Sequence, residues 1–167
     1  FDPVEFINII QREKVTHIKM VPSQIITMLH APNFSGEALQ SLEMLGSVGA
    51  PLHLAHKEAL DRHLPGRFCE LYGLTEGLMT ILDKFDYPAK PNSVGSPPPF
   101  MDIRVVDEQG RDLPSGQVGE IIGRSPLMMP GYYKRPDLTA QAIRDGWLYS
   151  GDLGYLVDGE LVICGRI

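Results

Sequence analysis

Long apolar runs and clusters of basic charge are both missing from this chain of 167 residues, and each absence excludes a class of protein. No stretch approaches the ~18 consecutive apolar residues of a membrane-spanning helix, so we expect no transmembrane segment. Lysine and arginine are outnumbered by aspartate and glutamate, 15 to 21, which leaves a net charge of -6. This balance offers no electrostatic footprint for DNA or RNA, and we expect no nucleic-acid partner. The hydrophobic content of 43% is typical of a folded globular protein.

Cysteine is scarce as well. Cys69 and Cys164 lie in apolar, strand-like runs without the spacing of metal ligands. We interpret both as reduced core residues of a cytoplasmic protein, and a disulfide between them is the alternative. His53, His56 and His63 share one predicted helix, but the sequence nearby offers no further ligands. Exposed helix histidines are therefore the favoured interpretation over a metal site.

The first 97 residues alternate helical and strand-like segments. The predicted helices cover residues 2–14, 23–30 and 53–64, with a shorter one between the turns that end at residue 36 and the strand that begins at residue 44. Asp2 is the predicted N-cap of the first helix, and Pro3 is its first helical residue. The predicted strands cover residues 17–21, 44–48 and 67–72. This alternation predicts an α/β subdomain with a mainly parallel sheet and flanking helices. Because ligands bind at the carboxyl ends of such strands, we expect the loops after residues 48 and 72 to meet there.

The last part, residues 98–167, is predicted to be a small antiparallel, distorted barrel-like β subdomain that follows a proline-rich crossover. Its predicted strands cover residues 103–106, 118–123, 154–157 and 160–163, with a short helix over residues 137–143. Asp158-Gly159 between two apolar runs predicts a hairpin. We interpret the apolar run Leu127-Met128-Met129 as core packing, and a loop over a ligand is the alternative.

The segment Leu-Tyr-Gly-Leu-Thr-Glu-Gly, residues 71–77, is the leading candidate site. Its glycines permit conformations that bring the backbone close to a ligand. The Thr75 hydroxyl could donate to a phosphate or carboxylate oxygen, and the Glu76 carboxylate could hold a hard cation such as Mg²⁺. The alternative is a strand–turn–strand corner with a surface glutamate.

Further segments stand around this one in a fixed order: residues 46–51, 72–76, 119–121 with 131–133, 146–152 and 165–166. The series resembles the adenylate-forming enzymes, which include acyl- and aryl-CoA synthetases, luciferases and the adenylation domains of peptide synthetases. The resemblance extends over essentially the whole chain. It implies that an acid reacts with ATP to give an acyl-adenylate and pyrophosphate, and that the acyl group passes to a thiol, usually that of CoA.

The resemblance also implies which residues bind the adenosine. Gly49, Ala50 and Pro51 match the loop that lines the adenine, and Tyr72 matches the aromatic ring stacked on that base.

The phosphate and ribose contacts follow from the same resemblance. Thr75 and Glu76 match the catalytic residues: the hydroxyl that contacts the α-phosphate and the carboxylate that binds Mg²⁺. Asp152 matches the aspartate that binds the ribose hydroxyls, and Arg166 matches the arginine that also reaches the ribose. Adenylation requires positioning and charge neutralisation more than a nucleophilic side chain, so no Ser-His-Asp or Cys-His set is needed.

Val48 and Gly73 are the predicted acyl-pocket residues. Family members that act on acetate share the valine but carry a tryptophan directly after the central tyrosine. Here that position is Gly73, which implies a tunnel open to longer fatty or aromatic acids.

Two parts of the family pattern find no match: the glycine-, serine- and threonine-rich phosphate loop with its lysine, and the C-terminal domain with the lysine that promotes adenylation. We therefore expect a central fragment that ends at the interdomain hinge and is inactive alone. The acceptor thiol could belong to CoA or to a carrier protein's phosphopantetheine, and a degenerate nucleotide-binding module is the remaining alternative. The sequence leaves the oligomeric state open.

Overall fold

The computed structural model describes residues 1–167, and the chain divides into two compact units. The first unit comprises residues 1–72 and 82–92, and the second comprises residues 73–81 and 93–167. The subdomain boundary expected between residues 97 and 98 stays a prediction.

Three helices belong to the first unit: α1 (Pro3–Glu13), α2 (Pro22–Leu29) and α3 (Leu54–His63). The start of α1 was predicted correctly. The Asp2 side chain accepts hydrogen bonds from the backbone N–H groups of Val4 and Glu5 at 2.9 and 3.1 Å, which satisfies donors that the helix leaves unpaired. Lys14 ends the helix in a left-handed conformation with φ 54°.

The prediction of a short helix before residue 44 is wrong. Residues 36–41 form turns: the Gln40 N–H bonds to the Glu37 carbonyl three residues back, and the Leu39 N–H bonds to the Ser35 carbonyl four residues back. Leu39 and Leu42 are nevertheless fully buried. Burial of these two leucines is achieved without a continuous helical hydrogen-bond ladder.

The first sheet contains β1 (His17–Met20), β2 (Met44–Val48), β3 (Phe68–Leu74) and β4 (Leu78–Leu82), in that spatial order. β1 pairs with β2 and β2 with β3 in parallel, so the predicted α/β fold with a mainly parallel sheet is confirmed. β4 completes the strand–turn–strand corner that the sequence offered as an alternative for residues 71–77, and its buried and more exposed residues alternate with a period of two.

The core of the first unit lies between these helices and the sheet. Ile7 and Ile10 of α1, Ile25 and Met28 of α2, and Phe68 of β3 are almost entirely excluded from water. Burial of each such side chain contributes about 1.5–3 kcal/mol to folding before opposing entropy is counted.

The second sheet is antiparallel throughout. It contains β5 (Asp102–Val106), β6 (Gly119–Arg124), β7 (Ile143–Arg144), β8 (Trp147–Val157) and β9 (Glu160–Arg166), while α4 (Pro136–Ala142) precedes β7. The order is β5-β6-β8-β7, and β9 pairs with β8. Register shifts in the β6–β8 and β8–β9 pairs accompany a curled, half-barrel form, which confirms the predicted antiparallel subdomain.

β8 is much longer than predicted. It spans 11 residues, where the sequence suggested a strand over residues 154–157 only. Gly151 takes a positive φ of 72°, but the strand continues on both sides of it.

Two of the core assignments are wrong. Cys164 is exposed on β9, whereas Cys69 is partly buried on β3, and both thiols are free. Leu127 is 65% exposed, so the segment around it is a surface loop and not core. None of the helices combines the length and the apolar character needed to cross a membrane.

Candidate functional site

The carboxyl edge of the parallel strands brings together the residues predicted to contact adenine. Val48, the last residue of β2, pairs with Leu71 of β3, so Gly49 and Tyr72 follow at the same level of the sheet. Gly49 has a φ of 93°, a conformation that favours glycine, and Ala50 beside it is exposed. Gly49 and Tyr72 thus lie at one edge as predicted, but β3 continues to Leu74, so no loop begins at residue 73.

A buried ion pair, absent from the sequence analysis, lies beside this edge. Lys57 of α3 bonds to the carboxylate of Glu70 on β3, and the two residues are 5% and 3% exposed. The Lys57 ammonium also donates to the Pro91 carbonyl at 3.2 Å. Glu70 accepts a 3.4 Å hydrogen bond from the backbone of Leu52, directly after the predicted adenine loop. The pair thus ties the end of that loop to the sheet.

Thr75, Glu76 and Gly77 form the tight turn between β3 and β4 in the second unit. The Gly77 N–H donates to the Leu74 carbonyl at 3.0 Å, and Gly77 has a φ of 108°. Thr75 is exposed and Glu76 is half-buried. The Thr75 hydroxyl donates to Glu76 Oε2 at 3.2 Å, so the turn itself orients one oxygen of the carboxylate.

A surface loop, residues 125–132, packs on this turn and is called the clamp loop below. The N–H of Met129 donates to the Glu76 carbonyl at 2.9 Å, and the Ser125 hydroxyl donates to the Gly77 carbonyl at 2.8 Å. The Tyr132 phenol donates to Glu76 Oε1 at 2.8 Å. Tyr132 lies in residues 131–133, one of the segments on which the family resemblance rests, but the sequence alone predicts no role for it.

The electrostatics of this cluster favour an ionised Glu76. The hydrogen bond from Tyr132 holds the pKa of the Glu76 carboxyl below its ordinary value, and Thr75 and the positive charge of Arg166 act in the same direction. The same bond raises the pKa of the Tyr132 phenol. Glu76 therefore presents a carboxylate at neutral pH.

The residues fit Mg²⁺ in one particular way. The chain contains no group of three or more histidine, cysteine, aspartate or glutamate side chains able to hold a metal ion. Mg²⁺ is commonly bound by one or two carboxylates together with substrate phosphates. A single ionised carboxylate such as Glu76 suits that arrangement, with a nucleotide supplying the other ligands.

Asp152 and Arg166 come together on the second sheet. They are paired in register across β8 and β9, and Arg166 Nε lies 3.6 Å from Asp152 Oδ1. The Asp152 side chain is 11% exposed, whereas that of Arg166 is 73% exposed. The Ser150 hydroxyl accepts from the Asp152 N–H at 3.0 Å and donates to the Ile121 carbonyl at 2.6 Å, which fixes the backbone at this point.

The second unit therefore contains four of the predicted site residues: Thr75, Glu76, Asp152 and Arg166. Arg166 pairs with Asp152, and its positive charge lowers the pKa of Glu76. The two predicted acyl-pocket residues are differently placed. Val48 is half-buried at the end of β2, and Gly73 is exposed within β3 rather than in the turn that follows. The roles of all these residues stay predictions.

Comparison with known proteins places the chain in a family. The family model described as AMP-binding enzyme matches residues 1–133. The chain belongs to this family of adenylate-forming enzymes.

Its relatives include a medium/long-chain-fatty-acid–CoA ligase from Mycobacterium tuberculosis, 38% identical over 99% of this chain and 31% of the relative. A feruloyl-CoA synthase from an Amycolatopsis species is 37% identical over 96% of this chain and 33% of the relative. The solved structure of the amide bond synthetase McbA from Marinactinospora thermotolerans matches with a TM-score of 0.92 and 30% identity, over 99% of this chain and 34% of that one. The chain thus spans about a third of the length of the proteins it matches.

Proposed function

We propose that the full-length protein is an ATP-dependent acid–thiol ligase, an acyl-CoA synthetase that forms AMP. One observation carries the proposal: the Glu76 carboxylate accepts hydrogen bonds from two hydroxyl groups and lies in one unit with the Asp152–Arg166 pair. This combination provides acceptors for a ribose together with groups for a phosphate and its cation. Membership of the AMP-binding family supports the same substrate, ATP.

The chemistry assigned to these residues is positioning. The Asp152 carboxylate accepts hydrogen bonds from the ribose hydroxyls, as carboxylates do in other nucleotide sites, and Arg166 assists it. The Thr75 hydroxyl has one hydrogen, so it leaves Glu76 Oε2 when the nucleotide binds and donates to an oxygen of the α-phosphate. A carboxylate oxygen of the acid substrate then attacks the α-phosphorus, the bond to the β-phosphate oxygen breaks, and pyrophosphate leaves. No side chain is consumed in this step.

Glu76 is the residue that would hold Mg²⁺. When bound, the ion neutralises charge on the phosphates during the displacement. The contribution of the chain is an ionised carboxylate whose Oε1 stays oriented by the Tyr132 phenol while the Thr75 hydroxyl donates to the phosphate.

The adenine and acid contacts complete the proposal. Gly49, Ala50 and Pro51 line the base, and Tyr72 stacks on it. Val48 and the missing side chain at Gly73 leave room for an acid longer than acetate. Two relatives, named for feruloyl and for medium- or long-chain fatty acyl groups, support an aromatic or fatty acid.

Acid-dependent exchange of labelled pyrophosphate into ATP tests this function in the full-length protein. We expect exchange with hexanoate or benzoate to exceed exchange with acetate, and Asp152→Ala to reduce it at least tenfold by loss of the ribose contact. Asp86→Ala, an exposed carboxylate of the other unit, is the matched control and should retain activity. Preference for acetate would contradict the acid assignment, and absence of exchange with any acid would contradict the function.

The acceptor is separately testable. Release of acyl-CoA on addition of CoA supports the synthetase, whereas acylation of a phosphopantetheine-bearing carrier protein instead would show the alternative ligase. The structural match to an amide bond synthetase makes an amine the third acceptor to include. ATP binding without turnover would indicate a degenerate nucleotide-binding module.

The free thiols of Cys69 and Cys164 support a reducing, cytoplasmic location.

A further inference from the structure

Tyr132 of the clamp loop donates a hydrogen bond to the carboxylate that is proposed to hold Mg²⁺. Its backbone and Ser125 bond to the main chain of the turn at residues 76 and 77, but Tyr132 alone of the loop bonds to the Glu76 carboxylate. We propose that Tyr132 is a positioning residue, which holds the Glu76 carboxylate in the orientation that receives the cation–phosphate group of the nucleotide. The inference rests on the proposed function.

The geometry of the carboxylate supports this role. Each oxygen has one donor: Tyr132 Oη lies 2.8 Å from Oε1, and Thr75 Oγ1 lies 3.2 Å from Oε2. A carboxylate oxygen has two acceptor positions, so each keeps one for a cation. The terminal torsion of glutamate is broad and carries little intrinsic preference. With the phenol removed, Thr75 would be the remaining side-chain donor to the carboxylate, and the proposed function gives its single hydrogen to the α-phosphate.

Tyr132 is itself held from the opposite side. Its backbone N–H donates to Thr139 Oγ1 of α4 at 2.9 Å, and that hydroxyl donates to the Arg135 carbonyl at 3.0 Å. Gly131 before it has a φ of 147° and lies against the Thr139 side chain. The position of the phenol is thus set by α4 and transmitted to the turn. Glu76 and Tyr132 are 56 residues apart in the sequence, so the bond joins two otherwise separate segments.

The adjacent tyrosine provides a matched control. Tyr133 is 86% exposed, against 36% for Tyr132, and its ring contacts the Lys134 ammonium rather than Glu76. Replacement of either tyrosine by phenylalanine removes a single hydroxyl and retains the ring. Only the change at position 132 removes a donor from the carboxylate.

Calorimetric titration of the full-length protein tests the role without turnover. We expect Tyr132→Phe to weaken binding of ATP with Mg²⁺ about tenfold, the size expected for a hydrogen bond to a charged group. Binding of AMP in the presence of EDTA, which needs no cation, should be unchanged in this variant. Tyr133→Phe should match the wild type in both titrations.

A double-mutant cycle separates action through Glu76 from a direct effect. If Tyr132 acts through the carboxylate, Tyr132→Phe in a Glu76→Ala background should cause no further loss of affinity for ATP with Mg²⁺. Additive losses would overturn the inference. Wild-type affinity in Tyr132→Phe would overturn it as well, and so would an equal loss of AMP affinity in EDTA, because that loss would show a merely structural role.

The wild-type protein distinguishes failure of the inference from failure of the proposed function. If the wild type binds no ATP with Mg²⁺, the proposed function is wrong and the role of Tyr132 falls with it. If the wild type binds ATP and the phenylalanine variant does so equally, the inference alone is wrong.

Discussion

At the scale of single residues, the buried Lys57–Glu70 pair fixes the backbone at the end of a neighbouring loop. Glu70 is 3% exposed, and its carboxylate holds both the Lys57 ammonium and the Leu52 N–H. Such pairs often add little net stability over apolar residues of similar volume, but loss of one partner leaves an uncompensated buried charge. The pair therefore makes the position of the chain directly after the 49–51 loop depend on two charges to which the proposed function gives no role.

We predict that Lys57→Met lowers the free energy of unfolding by about 3–5 kcal/mol, because Glu70 would remain buried and unpaired. The double variant Lys57→Met with Glu70→Gln should recover most of that loss, since no bare charge remains. Denaturant unfolding of the full-length protein measures both. Arg12→Met is the control: its pairs with Glu5 and Glu13 are exposed, and the change should cost less than ~1 kcal/mol. Equal effects of the two single variants would contradict the prediction.

At the scale of elements, hydrogen bonds join the clamp loop to the turn between β3 and β4. Two backbone carbonyls of the turn, those of Glu76 and Gly77, accept hydrogen bonds from the loop. A Cβ built on Gly77 would overlap with the backbone of Leu127 and Met128. The close approach of these two backbones is what brings Tyr132 to the carboxylate, and it depends on the absence of a side chain at position 77.

Gly77→Ala should therefore be more damaging than an alanine at another glycine of positive φ. Gly116 is the matched control, with a φ of 83° against 108° for Gly77 and no atom near its hypothetical Cβ. We expect Gly116→Ala to cost about 1–2 kcal/mol from backbone strain alone. Gly77→Ala should cost a further ~1–3 kcal/mol because the loop must move away. Denaturant unfolding and the exchange assay check this, and equal destabilisation by the two changes would rule out tight packing at position 77.

At the scale of the whole molecule, the residues assigned to the nucleotide are divided between the two compact units. Gly49, Ala50, Pro51 and Tyr72 belong to the first unit, and the boundary in the chain falls directly after Tyr72. The residues assigned to the phosphate and ribose belong to the second unit. The chain spans about a third of the length of its relatives.

We predict that the 167-residue chain alone supports no acid-dependent exchange of pyrophosphate into ATP, because the family pattern implies a phosphate loop and a catalytic lysine that match nothing in these residues. The full-length protein, assayed with the same acids, is the positive control. Robust exchange by the 167 residues alone would show that Thr75, Glu76, Asp152 and Arg166 suffice, and the prediction would be wrong.

Features whose causes lie within a few residues could be predicted from the sequence. The Asp2 cap acts on donors two and three residues away, and the hairpin at Asp158-Gly159 joins strands that touch it. The apolar periodicities of α1, α3 and the parallel strands were read correctly, since each depends only on local spacing. The order of short segments along the chain was sufficient to indicate the family.

Tertiary structure decided everything that depends on distant partners. β8 continues through Gly151 because β6 and β9 pair with it on either side, and no local signal shows those neighbours. The partner of Lys57 is 13 residues away, and that of Tyr132 is 56 residues away. Local periodicity determines which face of an element is buried. Which polar groups meet is determined only by the tertiary fold. The fold brings Tyr132 to Glu76 and so adds a second hydroxyl donor to the one that Thr75 provides.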